Sequence, residues 1–270
     1  MMPPMIRIAA LVRAHWQVLR TYRMKTLLSL VSMVATVVPL YFVANAVQPI
    51  MAGSIRAEGG NAFGFLVVGL ATFMLVSASI TALPQVVSDR ISSGVLEALL
   101  ATPTSAGELL VGLNLFDLLI TALRVTILFI AAGLLGAAFI PSAIPRAVIV
   151  LVLIVAAHVP FGLIGTAMVL AFRSAGPLPR AIVTISGLLG GVYYPTTVVP
   201  SWLRAISNLL PLSYGLRALR RVLLQHATLT SVAPDLLALV VANVLLFALG
   251  AAALSAALRH ARLQGTLAQY

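Results

Sequence analysis

The sequence predicts an all-α polytopic membrane protein: six transmembrane helices with an N-terminal interfacial helix, a short cytoplasmic helix and an external re-entrant segment. Three observations predict it. Of 270 residues, 61% are hydrophobic and only 9% charged, well above the roughly 45–50% apolar share of a soluble domain. The charges fall between uncharged stretches long enough for a hydrocarbon layer of about 30 Å, which takes about 20 helical residues. No run of short alternating strands suggests a transmembrane barrel.

Residues 1–26 combine Arg7, Arg13, Arg20, Arg23 and Lys25 with Ile6, Leu11, Val12, Trp16 and Leu19. That mixture predicts a basic helix lying in the membrane surface. The spans expected after it are about 27–47, 62–84, 116–139, 147–172, 181–199 and 236–258. Ala44-Asn45-Ala46 has the look of a small-residue cleavage site, but the basic leader and apolar run are long for a signal peptide, so a retained span is expected. Each span is bounded by charge or by proline and glycine. Helices are expected because backbone polar groups in lipid must be satisfied within the segment. No internal repeat and no low-complexity linker divides the chain, so one transmembrane domain over 1–270 is expected.

The charge balance is +11, from 17 basic residues against Glu58, Asp89, Glu97, Glu108, Asp117 and Asp235. The arginines are dispersed among short loops and form no single basic face, which argues against nucleic acid and for anionic lipid headgroups. With both termini cytoplasmic, ten basic residues lie inside and six outside, leaving Arg124 unassigned. The basic-inside bias therefore favours that orientation, although the four arginines of 200–235 weigh against it. A multi-pass protein of the cell (plasma or inner) membrane is expected. With no cysteine in the chain, thiolate metal sites and cysteine nucleophiles are excluded, and neither a catalytic nor a metal site is expected.

Two connections are too long to be simple turns. In the cytoplasmic one, 85–115, Leu96, Leu99 and Leu100 fall at helical spacing beside Glu97. They predict a short amphipathic helix that Pro103 stops near Thr102, with a capping box at Ser105 and Glu108 opening the next helix. A short helix held beneath the bilayer suits docking of a soluble partner; a loop lying on the membrane without one is the alternative. In the external connection, 190–234, glycines and prolines break the helix at membrane depth beside Tyr193, Tyr194, Trp202 and Tyr214. Such aromatic residues settle at lipid–water interfaces, and irregular backbone at that depth must be buried in protein or line a wet cavity. A re-entrant or gating element is expected, with an aromatic-belted surface loop as the alternative.

These two segments resemble those of type-2 ATP-binding-cassette (ABC) exporter permeases. Asp89, Arg90, Gly94, Glu97, Leu99, Leu100, Thr102 and Pro103 match the family's cytoplasmic loop, with Val95 where threonine is usual. Tyr194-Pro195, Pro200, Trp202-Leu203, Asn208, Pro211-Leu212 and Arg217/Arg220 match its external segment. The resemblance implies a six-span permease subunit working as a dimer and docked through the 2–3 loop on a separate ABC ATPase subunit. It implies export of drugs, lipid-linked glycans or other amphipathic molecules, with ATP and Mg held by the partner and no cofactor in this chain. On that basis the eight residues of the cytoplasmic loop are expected to couple to the ATPase. Tyr193, Tyr194, Pro195, Pro200, Trp202 and Pro211 are expected to form an external gate. A homodimer in contact with membrane lipid is expected.

An independent feature agrees. Lys25, the single lysine, is preceded by Met24 and not by glycine, so the chain lacks the phosphate-binding loop Gly-x-x-x-x-Gly-Lys. The competing reading is a proton- or ion-coupled secondary transporter. Asp117 and Arg124, seven residues apart on one helix face, and His158 would be its ionisable groups, since such groups within a span are functional candidates by default. A membrane protease is a poor third reading: Ser186-Gly187 lacks the nucleophile-elbow pattern.

Overall fold

The computed structural model describes residues 23–92, 106–172 and 176–263. Among them every regular element is a helix. The long helices are α1 (Arg23–Met51), α2 (Ala62–Ser92), α3 (Ala106–Leu134) and α4 (Ile144–Phe172). They are followed by α5 (Leu178–Leu189), α6 (Ser201–Ser207), α7 (Pro211–Gln225) and α8 (Ala233–Leu263). Short 3-10 turns at Arg56–Glu58 and Pro141–Ala143 join α1 to α2 and α3 to α4. Along α1, α2, α3, α4 with the 3-10 turn before it, and α8 run stretches long and apolar enough to cross a membrane: Val31–Met51, Ala62–Asp89, Asp117–Leu134, Pro141–Phe172 and Ala233–His260.

The expected span 181–199 corresponds to something shorter. The helix α5 stops at Leu189, and 190–200 has no regular structure. Its 12 residues extend only about 18 Å at 1.5 Å per residue, short of a hydrocarbon layer of about 30 Å. Gly190 and Gly191 end the helix: Gly191 takes the left-handed conformation at φ 82°, which a side chain with a Cβ adopts only at a cost. The expected second span, placed to end at Pro84, continues instead to Ser92 with Pro84 inside the helix. The missing proline N–H is tolerated where neighbouring helices pack on the break. Here Gly165 of α4 leaves the room, because a Cβ there would sit 2.7 Å from the Pro84 ring.

The core is arranged around α2, whose apolar window is 72% buried, against 17% for α1, 22% for α3 and 11% for α8. Helices α1, α3, α4, α5 and α7 all pack on it, and α8 covers the other side of α4. Val68, Val76 and Ile80 of α2 meet Ala147, Val150, Ile154 and Ala157 of α4 and Leu212, Leu216 and Leu219 of α7. On its other flank Phe65, Val67, Ala71 and Leu75 meet Met33, Val37 and Ala44 of α1 and Val125, Leu128 and Ala132 of α3. Glycine sets the closest approach of α2 and α4: a Cβ on Gly162 would stand 2.6 Å from the Ser79 carbonyl oxygen.

The chain alternates direction, so the 52–61, 135–143 and 190–232 connections gather at one end. Direct bonds tie them there: Ile140 N–H donates to Leu223 O at 3.0 Å, and Arg146 Nη1 donates to Ala227 O at 3.2 Å.

Candidate functional site

The expected gate lies at this gathered end. Ser186 O, in the last turn of α5, accepts from the Gly190 N–H at 2.8 Å, and Tyr194 Oη reaches back to donate to Leu188 O. The chain then turns at Pro195, whose carbonyl accepts from the Val198 N–H at 3.2 Å. Pro195 is buried, Tyr194 half-buried and Tyr193 exposed. Pro200 stands exposed at the start of α6, where its ring fixes the entry to the helix. Trp202 projects from α6 with 65% of its surface exposed. Arg204 folds back to donate to Thr197 O and to Val199 O. Pro211 is buried at the first position of α7, where a missing N–H removes no helical bond. The six expected gate residues thus occupy one continuous stretch, with the prolines packed or at helix starts and two of the aromatic residues facing outward.

A buried group beneath this stretch holds it in place. Arg220 of α7 is 1% exposed. Its Nη1 donates to Glu58 Oε2 at 3.0 Å and to Gly191 O at 2.9 Å. Its Nη2 donates to Val192 O at 3.0 Å and to Phe65 O at 3.1 Å, and Nε donates to Phe65 O at 3.2 Å. A guanidinium has five N–H donors, and all five find acceptors here. The guanidinium carbon also lies 3.3 Å from the centroid of the Phe65 ring, a cation–π contact. Burial pushes the Arg220 pKa down to about 10, while the charge of Glu58 and its hydrogen bond pull it back up. It therefore stays charged at neutral pH.

Local sequence builds this cluster. Glu58 ends a 3-10 turn that Gly59 and Gly60 close at φ 111° and 70°. Gln48 of α1 braces the turn, donating through Nε2 to Gly60 O at 2.8 Å and accepting from the Ala62 N–H at 2.7 Å. Asn61 caps α2, its Oδ1 accepting from the Gly64 N–H at 2.6 Å. Gly69 lets the parts meet, since a Cβ there would collide with Val192 O and lie 2.7 Å from Arg220 Nη2. A second, more exposed ion pair joins α7 to α8, Arg217 Nη2 to Asp235 Oδ1 at 2.7 Å.

Glu58 is the member of this cluster that the pattern of motifs does not single out. It is 162 positions from Arg220, and no local periodicity relates the two. The available signal was an acid at the mouth of an apolar span in a chain with only six acids.

Of the expected coupling residues, Asp89 is exposed on the last turns of α2, where Gln85 Nε2 donates to its Oδ1 at 3.0 Å. Arg90 follows it on the same helix. Gly94, Glu97, Leu99, Leu100, Thr102 and Pro103 lie outside the described residues, as does the expected interfacial helix up to residue 22. At 31 residues, α2 is about 46 Å long, longer than a hydrocarbon layer of about 30 Å requires.

The ionisable groups of the competing reading are distributed over two helices. Asp117 and Arg124 are half-buried on α3 and His158 is fully buried on α4, and α2 packs against both helices. The His158 Nδ1 lies 2.7 Å from Ile154 O. A carbonyl can only accept, so Nδ1 carries the proton, and Nε2 finds no partner among the described residues. Among the same residues no group of three or more His, Cys, Asp or Glu side chains is placed to hold a metal.

Comparison with curated proteins gives no match. Comparison with protein families matches residues 7–224 to the ABC-2 type transporter membrane family. That match runs from ahead of α1 to the end of α7, taking in the helices around α2, the interrupted helix and the arginine cluster. The chain belongs to the ABC-2 type transporter family and is a multi-pass membrane permease.

Proposed function

We propose that this chain is the permease subunit of an ABC exporter, forming the translocation path and driven by ATP hydrolysis in a separate nucleotide-binding subunit. The family match over 7–224 carries the reading. The absence of a Gly-Lys phosphate loop around the single lysine supports it, because transport driven by ATP would then draw on a nucleotide site outside these residues.

In this reading the 85–103 segment, which begins in the last turns of α2, is the lever. Asp89, Arg90, Gly94, Glu97, Leu99, Leu100, Thr102 and Pro103 meet the ATPase, and its motion travels along α2 to the opposite end. Because α2 is a single continuous helix from Ala62 to Ser92, a push at one end is delivered to the Phe65 turn at the other. There Tyr193, Tyr194, Pro195, Pro200, Trp202 and Pro211 form the gate. ATP and Mg belong to the partner. Two copies of the chain assemble in the cell (plasma or inner) membrane with both termini cytoplasmic. The cargo is an amphipathic small molecule, lipid or glycan. The orientation is supported by the basic-residue count; three of the arginines that weigh against it, Arg204, Arg217 and Arg220, are engaged in bonds within the molecule.

The test is co-purification of the full chain with candidate ATPase subunits, with and without Glu97→Arg. We expect one ATPase to co-purify and the substitution to abolish the association, because it reverses a charge on the docking face. Failure of any ATPase to bind the wild-type chain, with transport following a proton gradient, would sink the reading and direct mutagenesis to Asp117, Arg124 and His158.

A further inference from the structure

We propose that Glu58 and Arg220 are positioning residues of the external closure, a clasp that holds the Gly191–Val192 turn against α2 and keeps the path shut at that end. The inference rests on the transporter reading above and adds to it a specific holding element and a partner, Glu58, for the arginine.

The bonding of Arg220 carries the argument. One guanidinium on α7 joins two stretches distant from it in sequence: the turn carrying Glu58 with the start of α2 at Phe65, and the break after α5 at Gly191 and Val192. The carbonyls at that break have left the helical pattern of α5, and buried carbonyls need donors. Arg220 gives one to each of two successive carbonyls. A cation is also favoured beside a helix C-terminus, where the helix dipole is negative. The turn is thus fixed to α2 through a charged group on a third element, and the Gly69 gap admits the Val192 carbonyl into contact with it.

Such a contact is suited to two states and not to gradual loosening. With about 1% of Arg220 exposed, the loss of any one acceptor leaves a buried charge short of a partner. The set therefore holds or releases together, as bistable contacts in switching proteins do. Tyr193, exposed immediately beyond Val192, and the buried Pro195 move with the turn when it releases. Stability alone gives little reason for the arrangement, because apolar residues of similar volume often serve at least as well as a buried ion pair.

The absence of cysteine from the chain supplies the test. Val192, fully buried, is changed as Val192→Cys in the full chain reconstituted in nanodiscs. Its rate of reaction with a membrane-impermeant maleimide is compared in the otherwise wild-type, Glu58→Ala and Arg220→Lys backgrounds. Ala157→Cys, equally buried in α4, is the control for general unfolding. Lysine keeps the charge but offers three donors in place of five. We expect labelling at position 192 to accelerate at least about tenfold in both variants while position 157 stays protected, the pattern of a local opening.

Unchanged labelling at 192 in both variants overturns the clasp. So does parallel acceleration at 192 and 157, which would make the pair merely a fold-stabilising contact. The labelling needs neither ATPase nor cargo, so the two hypotheses fail separately. A local opening without any ATPase partner leaves the clasp standing and removes the ATP-driven reading. An ATPase that binds while 192 stays protected does the reverse.

Discussion

Two arginines three positions apart on α7 play unequal parts, and burial decides which matters more. Arg220 is enclosed with all five donors engaged, whereas the Arg217 side chain is 34% exposed in its pair with Asp235. Replacing Arg220 with methionine removes the same formal charge as replacing Arg217. It also leaves Glu58 as a buried carboxylate and strips donors from three buried carbonyls. Breaking a buried pair from one side costs about 3–5 kcal/mol, and an exposed pair contributes about 0–1 kcal/mol. Arg220→Met is therefore expected to lower the stability of the purified protein by several times more than Arg217→Met, measured by urea unfolding in detergent micelles. Equal losses would show that net charge, not the bond set, governs. The arginine itself was legible in the sequence as part of the Pro211-to-Arg220 pattern. Its partner was not, since an ion pair spanning 162 positions leaves no trace in local spacing.

At the scale of elements, apolar length was enough to locate the long helices, because lipid demands it, but not enough to say where helix gives way. Pro84 was expected to end α2 and does not, since Gly165 on α4 makes room for its ring. The uncharged window 181–199 contained the break at Gly190 and Gly191, where hydropathy is indifferent to φ. The six residues of the expected lever that fall between 93 and 105 lie beyond the described structure, so that part of the site stands on the sequence pattern. Packing gives a sharper expectation for two helical glycines. A Cβ on Gly162 would meet the Ser79 backbone oxygen at 2.6 Å, whereas nothing lies within 4 Å of one on Gly133. Backbone cannot swing aside like a side chain tip, so Gly162→Ala must move α2 and α4 apart, at a cost of about 1–3 kcal/mol. Gly133→Ala, in the last turn of α3, should raise stability by at most about 0.5 kcal/mol through helix propensity. Thermal unfolding of the two variants beside wild type checks the opposite signs; a shared sign would refute the role assigned to the α2–α4 contact.

For the whole molecule, the distribution of burial bears on where cargo could pass. The helix at the centre, α2, is surrounded by apolar side chains on both flanks. The buried hydroxyls of Thr72, Ser79 and Thr166 are spent on carbonyls of their own helices, four residues back. A polar or amphipathic molecule crossing through the middle of such a protomer would have to displace this packing, and close-packed interiors resist it. The outer helices α1, α3 and α8 present long apolar faces, with Phe42, Leu119, Leu123, Val244 and Leu245 among their exposed residues. A path bounded by two copies needs no opening of either core: it requires only that some of these faces turn toward each other and that the clasped end of each protomer part. That geometry supports the proposed dimer. Mass photometry of the chain in nanodiscs, corrected for lipid and scaffold, is expected to give particles containing two 28.3 kDa chains, and cross-linking should join cysteines placed on the outer helices. Monomers that bind the ATPase and transport cargo unaided would place the path inside the protomer, where the filled flanks of α2 would have to open.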